Sequence, residues 1–511
     1  MTSSFEHTTK LTSTDSLTGD RYGVSVAVSG NTVMSGAYWH DENGDDSGAA
    51  YVYEEQGDGS WSPFKLTAAD TEAGDNFGRW LAIEGDIAIV GAPKDDHTGG
   101  SDSGSAYIFQ RQPDGSWTEF AKLTASDAGR LDEFGYGVDI YGDTVVIGAY
   151  KDDDNGRDSG AAYIFEQQSD GSWAQTAKLT ASDGDARDFF GHDVEIYGDI
   201  VVVGADEDEG GGSAYVFQRQ PDGSWVEVAK LTADDSAEGD RFGHAVTVDG
   251  DTIVVGAYFN DDTGTDSGAA YVFEAQPDGS WAQTAKLTAD DAFNGDRFGR
   301  AVSLEGDTVL IGSYLDDSSA GTAYLFQKQP DGSWQQQQKL SAEDGANADN
   351  FGRAVALEGG TVVAGAYGDD SETGSIYIFS DNSEPAPGEI AFDSDSYTVA
   401  ENSTDATITL VRTGGTSGQV SIDVALADGT ATVNTDYSDV SQTVTFLDGE
   451  TTQTITVPII DDTATEGDET ISLSLSNATG GATVGTQGTA TLTITDDDAP
   501  GEIAFDSNSY T

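Results

Sequence analysis

Short apolar runs recur along the first three-quarters of the chain, each bounded by Gly-Asp or Asp-Gly turns. Val, Ile, Tyr and Phe dominate these runs, and nothing between them carries helical apolar spacing. The pattern predicts short strands joined by hairpins. Four such segments fall in each of seven units; in the third they are Gly135–Tyr141, Thr144–Ala149, Ala161–Glu166 and Ser172–Thr180. The glycine of a Phe-Gly pair (once Tyr-Gly) marks each unit, at Gly23, Gly78, Gly135, Gly191, Gly243, Gly299 and Gly352, with spacings of 52 to 57 residues. Four antiparallel strands at that repeat describe the blade of a β-propeller, and seven repeats predict seven blades.

The ends of the array sharpen this expectation. Six units carry Gly-Ser-Trp before the fourth strand, at Trp61, Trp117, Trp173, Trp225, Trp281 and Trp334, whereas the seventh stops after Ile376–Phe379. Phe5 precedes Leu11 by the same six residues that separate Trp173 from Leu179. The N-terminal strand is therefore expected to complete the last blade and remove an exposed sheet edge.

Composition shifts after residue 380. Residues 381–387 read as a linker, and seven Thr/Val/Ile-rich segments follow: Glu389–Phe392, Ala406–Arg412, Val420–Ala427, Gln442–Phe446, Gln453–Ile460, Glu469–Leu475 and Gly488–Thr495. Seven alternating strands in that length fit an immunoglobulin-like β-sandwich over 388–499. Residues 501–511 repeat 388–398 with one change, at Asn508. Residues 500–511 are thus expected to open a second sandwich in a longer chain. The fold class is all-β: a seven-bladed propeller over 1–380, then the sandwich.

The Phe-Gly pairs, followed by Val-Gly-Ala at Val90–Ala92, Val203–Ala205 and Val255–Ala257, resemble FG-GAP repeats, the blades of integrin α-subunit propellers. Integrin-type blades hold calcium in an acidic loop between strands 1 and 2. Here that connection is a tight turn such as Gly142-Asp143, so those sites are not carried over. The C-terminal stretch resembles a Calx-beta domain, the calcium-sensing module of sodium/calcium exchangers, also found in bacterial adhesins. Val399-Ala400-Glu401-Asn402, Thr435-Asp436-Tyr437, Ile460-Asp461-Asp462, Glu466-Gly467-Asp468-Glu469 and Asp496-Asp497-Asp498 carry the likeness. The resemblance implies a calcium site built from Glu401, Asp436, Asp461, Asp462, Glu466, Glu469, Asp496, Asp497 and Asp498. Hard oxygen donors in that number suit calcium.

Charge narrows the partners. The 511 residues include 92 acidic and 22 basic side chains, a formal net charge of −70. Such a field repels nucleic acid and anionic lipid, so neither is an expected partner. An acidic shell adapted to high salt accounts for the same numbers. The chain has no cysteine, which excludes disulfides, zinc–thiolate sites and thiol nucleophiles. No apolar run approaches the roughly 18 residues of a spanning helix. Met1-Thr2-Ser3-Ser4 has neither the basic stretch nor the apolar core of a secretory signal. Membrane insertion of this segment is not expected, and the expected location is extracellular or at the cell surface.

In a four-stranded meander, the 2–3 loops and the blade-to-blade loops share one face. They are the long, variable ones, so a protein or glycan ligand is expected there. Three features converge on that face. Acidic loops follow strand 2; the best ligand spacing is Asp152, Asp154 and Asp158, with Gly156 at the bend, and a solvated acidic rim is the alternative. Six of the twelve arginines adjoin the Phe-Gly pairs: Arg79, Arg300 and Arg353 just after, Arg21, Arg241 and Arg297 just before, with His192 and His244 in two further units. These either grip an oxyanion at the channel mouth or pair with loop carboxylates such as Asp240 and Asp296. Tyr38, Tyr150, Tyr258, Tyr314 and Tyr367 end strand 2, placed either to stack on a ligand or to pack between blades.

The five histidines show no metal-ligand spacing along the chain, and no nucleophile motif sits in a strand–turn–helix context. The expectation is a non-enzymatic, calcium-binding adhesion or ligand-binding protein. The propeller would be its head, the sandwich array a calcium-stiffened stalk, and a homo-oligomer is not expected. A self-assembling envelope component and a glycan-active propeller enzyme are the alternatives.

Overall fold

The structure, a computed structural model, describes residues 5–56, 59–381, 387–447 and 449–498. The interior of the linker and the segment 500–511 lie outside the described residues. The chain divides into two compact units, Thr2–Asp381 and Asn382–Thr511.

The first unit contains seven four-stranded antiparallel sheets, each a simple meander from the centre outward. In the third blade the strands are Val138–Tyr141, Thr144–Ala149, Ala161–Gln167 and Trp173–Leu179. Each innermost strand packs against the next, and the last, Phe351–Glu358, packs against the first, Val26–Ser29, so the ring is closed. The innermost strands surround a central channel of about 360 Å³. Phe5–Leu11 pairs antiparallel with Ser375–Asp381, with Phe5 opposite Asp381 and Leu11 opposite Ile376. The N-terminal strand thus supplies the outer edge of the seventh blade, as the missing Trp segment predicts.

Strand 2 of each blade reads as a nearly unbroken apolar run because it lies between two neighbouring blades; all six residues of Thr144–Ala149 are buried. The two glycines of each repeat have a contact reason. A Cβ on Gly78 (φ +86°) would stand 2.3 Å from the carbonyl oxygen of Ala49 in the preceding blade, and one on Gly36 would stand 1.9 Å from that of Gly78. Backbones of adjacent blades touch here, and only glycine permits it. Phe77 fills the space beside this contact, packing edge-on against Tyr107 and Phe109. The inner strand of the third blade starts at Val138, later than the expected Gly135, which (φ +92°) lies against the Ser105 carbonyl of the preceding blade.

The second unit is a sandwich of a four-stranded and a five-stranded sheet. Seven of its nine strands are the expected ones, with ends shifted by a few residues; Glu469–Thr479, for example, runs four residues past Leu475. Two were not anticipated. Ser396–Ala400 pairs in parallel with Thr489–Thr495, so the first strand crosses from one sheet to the other after Phe392. Ser396 and Thr398 are exposed while Tyr397 and Val399 are half-buried against the sandwich core, an alternation only two apolar residues long. Thr483–Val484 is too short to register as a run. Ile408, Leu410, Ile422, Phe446, Ile471 and Leu492 form the core between the sheets. Arg412, 2% exposed, donates to the carbonyls of Pro387, Ser417, Gly418 and Leu447, tying three loops together without a carboxylate. Among the described residues, no helix is long and apolar enough to cross a membrane.

Candidate functional site

The acidic loops after strand 2 do not form the expected trio. Asp152 and Asp154 converge with Asp127, not with Asp158, whose carboxylate turns to Arg157 at 3.1 Å. Asp158 itself adopts a left-handed backbone (φ +54°) that carries it away. The Lys178 ammonium lies between the other three, 2.8, 2.9 and 2.6 Å from Asp127, Asp152 and Asp154. The Tyr163 hydroxyl donates to Asp152 at 2.9 Å beneath it. The loop carboxylates thus already hold a cation, the protein's own.

The arrangement recurs in every blade. Lys10, Lys65, Lys122, Lys230, Lys286 and Lys339 each sit over the strand-3 tyrosine of their own blade and bind acids from two loops. His40 and Asn260 replace the buried aspartate in the first and fifth blades. The readable signal was the Lys-Leu that ends every outer strand, which sequence reasoning passed over.

At the channel mouth the six arginines divide. Arg241 pairs with Asp206 and Glu207, and Arg297 with Asp266, rather than with Asp240 or Asp296. Those two aspartates instead accept backbone N–H groups of Ala237 and Phe293. Arg21 stacks on Trp39 with 3.7 Å between guanidinium carbon and ring centroid. Arg79, Arg300 and Arg353 take a third course. Arg79 donates to the Tyr136 hydroxyl at 3.3 Å and lies over Tyr38, Arg300 lies over Tyr258, and Arg353 over Tyr314. Among the described residues, no carboxylate forms an ion pair with any of these three. The tyrosines at the end of strand 2 therefore serve as platforms for guanidinium groups. Tyr150 instead stacks on Tyr136 at 4.2 Å and donates to Glu133, and Tyr367 lies under Arg21.

The fold also brings together residues that linear spacing kept apart. His192 and His244 follow Phe-Gly in consecutive units, and their rings lie 4.4 Å apart. His244 donates from Nδ1 to Asp206 at 2.9 Å, and all three side chains are buried. Burial holds both imidazoles neutral, pushing His192 down to about 4 and His244 well below its usual value, with Arg300 lowering both. Deeper in the channel, Asp139 and Asp193 accept N–H groups of Ile196 and Val246 from the next blade. Burial raises both, Asp193 to about 7.

In the sandwich, the implied calcium residues gather at one end. Glu401 follows Ser396–Ala400, Asp496–Asp498 follow Thr489–Thr495, and Glu469 opens Glu469–Thr479. Two triads result: Glu401, Asp496 and Asp498, and Asp436, Glu466 and Glu469, each offering oxygens within 4.8 Å of one another. Asp461, Asp462 and Asp497 flank them; desolvation and then Asp496, Asp497, Asp461 and Asp462 raise Asp498, and Asp497 accepts from Asn402 at 2.5 Å. Asp496 is held low by N–H groups of Asp498, Gly467 and Glu466. Glu469 is pushed up to about 7 by burial and then by Asp436, Glu466 and Glu401. Glu401 is raised by burial and by Asp462, Asp496 and Asp498. No basic side chain relieves this repulsion among the described residues. A donor set of oxygens alone, strained by its own charge, fits a hard divalent cation such as calcium.

An FG-GAP repeat model matches residues 5–53, 63–109, 117–165, 173–217, 225–273, 281–326 and 334–379, and a Calx-beta domain model matches 384–498. Sodium/calcium exchanger 1 of Mus musculus is 36% identical over 135 residues, covering 23% of this chain and 14% of the exchanger. Adhesion G-protein coupled receptor V1 of Danio rerio is 34% identical over 128 residues, covering 25% of this chain and 2% of the receptor. The chain therefore spans only a small part of these relatives. The crystal structure of the calcium binding domain CBD12 of CALX1.1 is 32% identical, covering 22% of this chain and 45% of that one, with a TM-score of 0.21. Each matched repeat begins with the outer strand of one blade and ends with the third strand of the next, as in 117–165, which starts at Trp117–Leu123 and ends within Ala161–Gln167. With seven such matches around the ring, the chain belongs to the FG-GAP repeat family and carries a Calx-beta domain C-terminal to its propeller.

Proposed function

We propose that the protein is a non-catalytic, calcium-binding adhesion or ligand-binding protein of the cell exterior. Its propeller recognises a protein or glycan, and its Calx-beta domain binds calcium as part of a stalk. The observation that carries this reading is the pair of carboxylate triads, Glu401/Asp496/Asp498 and Asp436/Glu466/Glu469, brought together from distant segments with no cationic partner among the described residues. Asp461, Asp462 and Asp497 would complete the oxygen shell. Bound calcium would supply the positive charge that lets these loops pack without repulsion, stiffening that end of the sandwich. On the propeller, the long loops lie on one face around the channel mouth, the usual place for recognition on a rigid scaffold.

The test is calcium titration by isothermal calorimetry on the full chain and on Asp436→Asn/Asp496→Asn, followed by glycan and protein arrays with calcium and with chelator. Saturable calcium binding lost in the double variant, with calcium-dependent capture of a ligand, is the expected result. Absence of calcium binding at millimolar concentration overturns the reading, and substrate turnover would place the protein among enzymes.

A further inference from the structure

We infer that Arg79, Arg300 and Arg353 form a binding site for an oxyanion (the carboxylate, sulfate or phosphate group of an acidic ligand) at the mouth of the propeller channel. This deepens the proposal above, since it rests on the propeller being the recognising unit and names the chemistry it recognises.

The starting point is an anomaly of charge. Acidic side chains outnumber basic ones by 92 to 22, so a guanidinium without a carboxylate needs a reason. Elsewhere on the propeller five arginines find acids, among them Arg111 with Glu54 at 2.6 Å, Arg219 with Glu166 at 2.5 Å and Arg241 with Glu207 at 2.5 Å; of the other three, Arg130 and Arg187 are exposed to water and Arg21 stacks on Trp39. Among the described residues, Arg300, 7% exposed, makes no ion pair, nor do Arg79 and Arg353, although all three come from blades around one opening. Arg300 and Arg353 line the channel itself. Burial and the fields of Arg300 and Arg79 push Arg353 below its ordinary value, so the three charges repel one another. Building such a cluster costs stability, and a bound anion would offset it.

The surroundings fit an anion and disfavour the obvious alternative. Aromatic faces under the guanidinium groups orient their N–H edges without neutralising them. The channel acid Asp193, which feels the Arg300 charge, is pushed up to about 7 by burial and engaged with the Val246 N–H, so it is a weak competitor. His192, Asp206 and His244 have a donor set that would suit a transition metal, and His192 Nδ1, His244 Nε2 and Asp206 Oδ1 lack partners. Yet Arg300, whose charge adds to burial in keeping protons off both imidazoles, also opposes a divalent cation between them.

Isothermal calorimetry on the full chain in chelator tests this, with sodium sulfate, sodium phosphate and sodium glucuronate at matched ionic strength, and zinc chloride without chelator. Saturable binding of at least one oxyanion is expected, weakened tenfold or more by R300Q and by R353Q and unchanged by R111Q. Preference for glucuronate assigns a carboxylate ligand, and preference for sulfate or phosphate assigns an ester anion. If a variant fails to fold by circular dichroism, the wild-type Tm at millimolar oxyanion against equal-strength chloride remains decisive, and a rise is expected. No oxyanion binding, binding untouched by R300Q, or zinc binding in its place overturns the inference. Loss of oxyanion binding with calcium-dependent capture intact sinks this inference alone; the reverse sinks only the calcium-dependent adhesion reading.

Discussion

The side-chain amide of Gln338 holds the backbone of Phe5 from both sides. The Phe5 N–H donates to Oε1 at 2.9 Å, and Nε2 donates to the Phe5 carbonyl at 2.7 Å. Gln338 lies in the outer strand of the sixth blade and Phe5 in the strand that completes the seventh, so the clasp joins neighbouring blades where the ring closes. The Phe5 ring is buried with Leu340, Leu357 and Phe379. Phe5→Ala is expected to cost about 3 kcal/mol and Gln338→Leu about 1–2 kcal/mol. Urea denaturation checks both; a Phe5→Ala variant within 0.5 kcal/mol of wild type would mean that closure does not depend on this strand.

Removing the cation from one acidic loop should be equally informative. Lys178→Met leaves Asp152, 3% exposed, without its ammonium and with Asp127 and Asp154 beside it. A loss of about 3 kcal/mol is expected, and adding Asp152→Asn should restore part of it, since the orphaned charge rather than the lost bond carries most of the cost. A double variant no more stable than the single one would refute that division.

The Calx-beta carboxylates set a pH dependence whose sign follows from Glu469. Its folded value, about 7, lies above its ordinary 4.5, so the folded state holds a proton that the unfolded chain releases between those values. Without calcium, this contribution to stability is full below pH 4.5 and is lost as pH rises through 7. Calcium favours the ionised form and should abolish the loss, with affinity rising from pH 5 to 7. Glu469→Gln should raise the Tm of the calcium-free protein at pH 7.5 while weakening calcium binding at least tenfold. Calorimetric scans over pH, with and without calcium, measure both.

The channel mouth behaves oppositely. His192, facing His244, Asp206, Arg79 and Arg300, has a folded value of about 4 against 6.5. Below pH 6.5 the unfolded chain takes up a proton that the folded imidazole refuses. Its contribution is full above 6.5 and falls away toward pH 4, by up to about 3 kcal/mol. His192→Gln should flatten that acid limb. An unchanged pH–stability profile between 4 and 6.5 would exclude the imidazole as its source.

Much of this is legible in the sequence alone. The phase of Phe5 and Leu11 against Trp173 and Leu179 foretold the closing strand, because one register satisfies both the burial pattern and the unpaired edge. Seven sandwich strands announced themselves by alternation, whereas Ser396–Ala400 passed unnoticed, since it follows the first strand after a sheet change and offers only Tyr397 and Val399 to the core. The site was less readable. Asp152, Asp154 and Asp158 had the spacing of ligands, but spacing says nothing of a left-handed turn at Asp158 or of a lysine arriving from the outer strand. His192 and Asp206 of the fourth blade meet His244 of the fifth only because consecutive blades place the residues after Phe-Gly side by side.

Because each sequence repeat hands its opening strand to one blade and its other three to the next, any whole number of repeats circularises with no strand left over. An in-frame tandem duplication or loss of one unit in the gene would therefore alter the diameter of the ring, and the width of its axial opening, while the same two terminal segments still met at the seam.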